Sequence, residues 1–344
     1  MMRSLAALGL AVASASALPP PLPGYEAVPQ LSDEFSGSVL DASKWSTAAK
    51  VISWPGRAPG LFDPNNVVVG GGSLQLWARP AKRNASWPAG FDNFTTAAVR
   101  SLHSVRGGYY EIRWRSGSSG ISSSWWFHTN NGTAWTEIDV FETTGTSNPG
   151  GDPGNPDRCS TTPLRKCRTG CPADEHGTCG PHKTPFKPGG PSCNLCPCNK
   201  QNTSCGGGDS NLVLPSHVHV FKLPGVPVAE LPQHCDCKEG TAGKAPCSKP
   251  ATFQAKQPWS SGFHVASMNW TIDEATGLST IAIGVDGTVV NTITSPCLIE
   301  EIAMDFDRET MPGWMAIPDP ASLPDKPFEV DYVRSYQLAA SDAR

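Results

Sequence analysis

Apolar and polar residues alternate with a period of two along several stretches of this chain, notably residues 109–115 and 328–336. Successive side chains of an extended strand point to opposite faces, so each stretch reads as a strand with one buried face. Asn66-Val67-Val68-Val69 and Ser73-Leu74-Gln75-Leu76-Trp77-Ala78 flank a Gly70-Gly71-Gly72 turn. Thr280-Ile281-Ala282-Ile283-Gly284-Val285 runs through Asp286-Gly287 into Thr288-Val289-Val290. Both patterns predict hairpins, because tight two-residue turns need positive φ. No segment keeps a helical period over three turns. Short strands with frequent turns predict an all-β sandwich or jelly roll.

Composition sharpens this picture. Glycine and proline number 67 of 344 residues, about a fifth, which favours turns over long helices. The formal net charge is −4, so no basic field points to nucleic acid or a membrane surface as partner. Arg3, an apolar core over residues 5–12 and small residues at 13–17 read as a signal peptide at 1–17. A proline-rich spacer follows at 18–24, and 339–344 reads as a tail. Twelve cysteines and sequons at Asn84, Asn93, Asn131, Asn202 and Asn269 agree with an oxidising, extracellular destination. The expectation is a secreted monomer with one domain over residues 25–338.

Eleven of the cysteines fall between Cys159 and Cys247, in a stretch poor in aliphatic runs. One strand interrupts it, Ser216-His217-Val218-His219-Val220-Phe221, so the region reads as disulfide-stapled loops at 159–210 and 224–250. Cys193-x-x-Cys196-x-Cys198 and Cys235-x-Cys237 are the alternative zinc ligands, but they form no clean pair of knuckles. Cys297 is left to pair with one of the eleven. Residues 158–256 hold 12 Lys and Arg against 6 Asp and Glu, which suits either a sulfated chain or ordinary solvation.

The chemistry concentrates in Trp135-Thr136-Glu137-Ile138-Asp139-Val140-Phe141-Glu142. Glu137 and Asp139 share a strand face, whereas Glu142 has the wrong parity. A β-bulge near Val140-Phe141 restores it to the acidic face. Crowded carboxyls separate in pKa, which a retaining glycosidase needs: one ionised nucleophile and one protonated acid. Read blandly, the same pattern is a solvated acidic edge. Trp125, Trp126 and Trp135 stand nearby as aromatic faces for sugar rings.

These residues resemble glycoside hydrolase family 16. Leu31-Ser32-Asp33-Glu34-Phe35-Ser36-Gly37, Gly108-Tyr109-Tyr110-Glu111-Ile112-Arg113 and Val330-Asp331-Tyr332-Val333-Arg334-Ser335-Tyr336 look like family strands. Two residues between Asp139 and Glu142 match the bulged form of the motif; another branch of the family has one. Trp54-Pro55-Gly56-Arg57-Ala58-Pro59-Gly60-Leu61-Phe62 and Ser122-Ser123-Ser124-Trp125-Trp126-Phe127 are similar to the agarase and porphyranase branch. The resemblance implies a β-jelly roll of two curved antiparallel sheets with an open cleft. It further implies Glu137 as nucleophile, Glu142 as general acid/base, and Asp139 as the group holding Glu137. Trp54 and Arg57 become sugar contacts.

His217 and His219 share a face of their strand, where either would reach Glu142 or a sugar hydroxyl, and His219 is taken as the substrate contact. His264 reads as structural. Asp331 is an expected ligand of a structural calcium, as in some relatives, and no cofactor is required. The expected reaction is endo-cleavage of a galactan, agarose or porphyran, with a 1,3-β-glucan or a non-catalytic glycan-binding role as alternatives.

Overall fold

The computed structural model describes residues 22–130, 134–145, 213–222, 251–295, 298, 300–311 and 319–339. The signal peptide, most of the spacer, both cysteine-rich loops, Cys297 and most of the tail lie outside them. Within the described residues the chain is built from two β-sheets and one four-residue α-helix, Ala49–Ile52.

The outer sheet has eight strands. Its path runs β15 (Thr288–Ser295), β14 (Leu278–Val285), β13 (His264–Asp273), β8 (Gly108–Arg115), β17 (Phe328–Leu338), β5 (Ser73–Leu76) and β4 (Val67–Gly70). Beside β17 lies β1 (Tyr25–Ala27). Nine strands form the inner sheet, along β12 (Ala251–Gln254), β11 (Val213–Lys222), β10 (Ala134–Thr143), β9 (Ser123–Asn130), β16 (Ile302–Arg308), β7 (Phe94–Val105) and β2 (Trp45–Ser46). Two short strands, β3 (Gly60–Phe62) and β6 (Arg79–Pro80), also pair with β7. Every pairing is antiparallel except β3 with β7. This is the expected jelly-roll layout.

Both predicted hairpins form. Gly71 and Gly72 turn β4 into β5 with φ of 65° and 82°, and Asp286 and Gly287 turn β14 into β15 with φ of 47° and 78°. In each, paired positive φ matches the right-handed twist of the strands it joins.

Strict alternation packs the sheets together. In β8, Tyr110, Ile112 and Trp114 are buried, while Tyr109, Glu111, Arg113 and Arg115 face outwards. Ile138, Val140, Phe141, Trp125 and Phe127 meet this layer from the inner sheet in one continuous core. Phe141 stacks on Trp114, ring centroids 4.0 Å apart. Each large side chain removed from water here contributes about 1.5–3 kcal/mol. The other face of β10 and β9 is therefore free to carry polar chemistry.

Asp331 belongs to the outer sheet. Its carboxylate accepts from Arg113 at 2.6 Å and belongs to no group of three or more carboxylate, His or Cys ligands among the described residues. His264 pairs with Asp286 at 2.8 Å at the head of β13.

Candidate active site

Strand β10 carries the acidic face. Across its ladder with β9, Asp139 pairs with Trp126 and Phe141 with Trp125, so Val140 is an extra residue on β10. This is the bulge that parity demanded. It sends both Val140 and Phe141 into the core and returns Glu142 to the side of Glu137 and Asp139. All three acids line one open cleft of about 180 Å³, with Trp54, Arg57, Trp126, Trp135, Asp307, Glu309 and Met311.

The upper wall comes from the loop after the helix. Gly56 has φ of 95°, and a Cβ there would meet the Gly60 carbonyl oxygen at 2.8 Å, so the tight turn needs glycine. The loop is pinned by Phe62 N–H to the Pro55 carbonyl at 2.9 Å and by the Thr310 hydroxyl to the Arg57 carbonyl. These contacts hold Trp54 and Arg57 above the sheet. Both therefore line the cleft.

Three indole N–H groups donate to three carboxylates around the cleft. Trp54 reaches Glu309 at 3.2 Å, Trp126 reaches Asp307 at 2.7 Å and Trp135 reaches Glu137 at 2.6 Å. Glu309 also faces the Arg57 guanidinium at 3.5 Å. Behind them, Asp305 is shared between Arg100 at 3.1 Å and the Nδ1 of His128 at 2.9 Å.

Burial dominates the electrostatics of these acids. Burial pushes the Glu142 carboxyl well above its ordinary value, and the charges of Asp139 and Glu137 add to it. Burial likewise raises Asp139, followed by the charge of Glu137 and the hydrogen bond between the two. Asp307 is raised by burial and then by neighbouring Glu309. Glu309 is raised by burial, against the pull of Arg57. The rise favours the protonated form of Glu142, while Glu137 accepts from the Trp135 N–H.

Some expected site residues stand elsewhere. Trp125 is a correction: it is fully buried against Phe127 and Phe141, because its neighbour Trp126 takes the cleft side of the same strand. His219 pairs in register with Glu137, but its side chain lies outside the described positions. Its neighbour on the strand, His217, pairs with Asp139, and one ligand atom each of His217, Asp139 and Glu142 lie within 4.8 Å of one another. That trio has the donor types to hold a cation, although two of its members are the central acids. Asp305, Asp307 and Glu309 were missed. Their spacing, Asp305-Phe306-Asp307-Arg308-Glu309, is itself a period-two signal on β16 and its extension.

Comparison with known proteins bears on this geometry. Residues 25–182 match the model of the glycoside hydrolase family 16 domain of β-porphyranases A–D. β-Porphyranase D of Zobellia galactanivorans is 37% identical over 107 residues, 30% of this chain and 25% of its own length. The match therefore spans a quarter of that relative. The crystal structure of porphyranase B from the same organism superposes with a TM-score of 0.59 at 19% identity, covering 91% of this chain and 92% of the other. A β-porphyranase from the human gut bacterium Bacteroides plebeius gives 0.59 at 19% identity, covering 94% and 95%. The likeness is to the agarase- and porphyranase-like branch that the sequence resembles, and the fold is the jelly roll of these structures.

Proposed function

From the likeness of residues 25–182 to the family 16 domain of β-porphyranases, we propose that this chain is a secreted, endo-acting hydrolase of a galactan, working by retaining double displacement. The observation that carries the reading is the bulge at Val140, which gathers Glu137, Asp139 and Glu142 on one wall of an open cleft. An open groove with acids along its side accepts the middle of a chain, which is what endo-cleavage requires.

Glu137 attacks the anomeric carbon while Glu142 gives its proton to the departing oxygen. A glycosyl ester on Glu137 results. Glu142, now ionised, takes a proton from water as that water attacks the ester. The bond is hydrolysed, Glu137 is released and Glu142 is again protonated. Asp139 and the Trp135 N–H hold Glu137 in line, and Trp126 and Trp54 offer aromatic surface to the sugar rings.

Incubation of the purified protein with agarose, porphyran, carrageenan and laminarin, followed by measurement of new reducing ends, tests the proposal. Release from agarose or porphyran, lost in Glu137→Ala with folding intact, is the expected outcome. Release from laminarin alone transfers the reading to a 1,3-β-glucanase. No release from any of the four leaves a glycan-binding module.

A further inference from the structure

Three rings stand in a stack across β9 and β10. His128 lies parallel to Trp126, centroids 4.4 Å apart at 13°, and parallel to Trp135, 4.7 Å apart at 17°. His128 is buried, sits directly opposite Glu137 in the β9–β10 register, and is gripped at Nδ1 by Asp305 at 2.9 Å. Asp305 is itself buried and tied to Arg100 at 3.1 Å, and Arg100 reaches the His128 carbonyl at 2.9 Å. The imidazole therefore has a fixed plane. Trp135, by contrast, is only half-buried, and its outer part faces the cleft.

We propose that His128 is a positioning residue for the nucleophile, acting through Trp135: the buried Asp305–His128 pair sets the plane of the indole, which aims its N–H at Glu137. This rests on the reading of Glu137 as nucleophile. The imidazole never touches the sugar and exchanges no proton with it. Its task is to remove the rotational freedom of a half-exposed indole, so that the 2.6 Å hydrogen bond is in place before substrate arrives. Arg100 closes the cluster, with its guanidinium on Asp305 at 3.1 Å and against the imidazole nitrogens at 2.7 and 2.8 Å.

The test uses the full chain with ¹⁵N-labelled tryptophan. Loss in Trp135→Phe identifies the Trp135 indole N–H resonance, and a hydrogen bond to a carboxylate places it downfield. It should move upfield in Glu137→Gln and in His128→Ala, with the resonances of indoles remote from the stack, such as Trp45 and Trp270, in place as the control for folding. His128→Phe keeps the stack without the Asp305 contact and should recover the wild-type position only in part. On a substrate the enzyme cleaves, His128→Ala should lower kcat about 10- to 100-fold, the size of one hydrogen bond to a charged group, with KM little changed. In the Trp135→Phe background it should add almost nothing. An unmoved Trp135 resonance in His128→Ala overturns the inference, even if hydrolysis is robust. A moved resonance in a protein inert towards every glycan supports the stack and sinks the assignment of function instead.

Discussion

The indole N–H of Trp126 donates to the Oδ2 of Asp307 at 2.7 Å, joining the middle strand of the cleft floor to an acid two positions beyond Asp305 on the next strand. Asp307 is buried, and its carboxyl is pushed up chiefly by burial and then by the charge of Glu309. The folded protein thus binds a proton more tightly than the unfolded chain, where Asp titrates near about 3.9. Any stability from this group is fully present below that value and lost as pH rises through the folded one. Asp307→Asn keeps an acceptor for Trp126 without the charge. We expect its Tm at pH 8 to exceed that of the wild type by a few degrees, and the gain to vanish near pH 4; thermal unfolding at both pH values checks it.

Glu142 leads to a kinetic prediction. Its raised pKa sets the alkaline limb of kcat/KM, because ionised Glu142 has no proton to give. Asp139→Asn removes the charge that raises it most, so the limb should move to lower pH. Overall rate should also fall by about 10²- to 10⁴-fold, the range for losing a positioned proton-handling group. A pH–rate profile that keeps its alkaline limb would separate Asp139 from Glu142.

Arg57 should act with the opposite sign. Its guanidinium opposes the rise at Glu142, Asp139 and Glu309. Arg57→Ala should carry the alkaline limb upwards, by less than the Asp139 shift, since 52% of the side chain is exposed and screened by water and salt. Repeating the profile in high salt should shrink the difference between variant and wild type.

Adjacent tryptophans should fail differently. Trp125 is wholly buried, so Trp125→Ala should cost about 3–5 kcal/mol of stability through the cavity it leaves. Trp126 lines the cleft, and Trp126→Phe should raise KM with a smaller loss of stability. Denaturant unfolding beside initial-rate kinetics distinguishes the two.

Much of this was legible in the residues. Alternation gave both hairpins and the core face of β8, and parity alone required a bulge between Asp139 and Glu142. Which of Trp125 and Trp126 meets the sugar was not legible. They alternate faces whatever the strand does, and only pairing with Asp139 or Phe141 tells which is which. The choice between His217 and His219 likewise rests on pairing: two positions apart they share a face by parity, and the register sets one opposite Asp139 and the other opposite Glu137. The acids of β16 and its extension were readable, at Asp305, Asp307 and Glu309, but they sit far along the chain from the motif they join. Their meaning comes from β9 lying between β10 and β16, a long-range pairing that no local pattern carries.

Val140 has no partner of its own across the ladder. Deleting that one codon leaves Glu-Ile-Asp-Phe-Glu, an unbulged strand in which both glutamates keep the cleft side and the phenylalanine keeps the core. Two lengths of the motif can therefore be exchanged by a single in-frame event without ever turning an acid inside out. A lineage could lose or gain this residue and change the spacing and tilt of its acids while the reaction continues, which makes the bulge a place where substrate geometry can drift under selection.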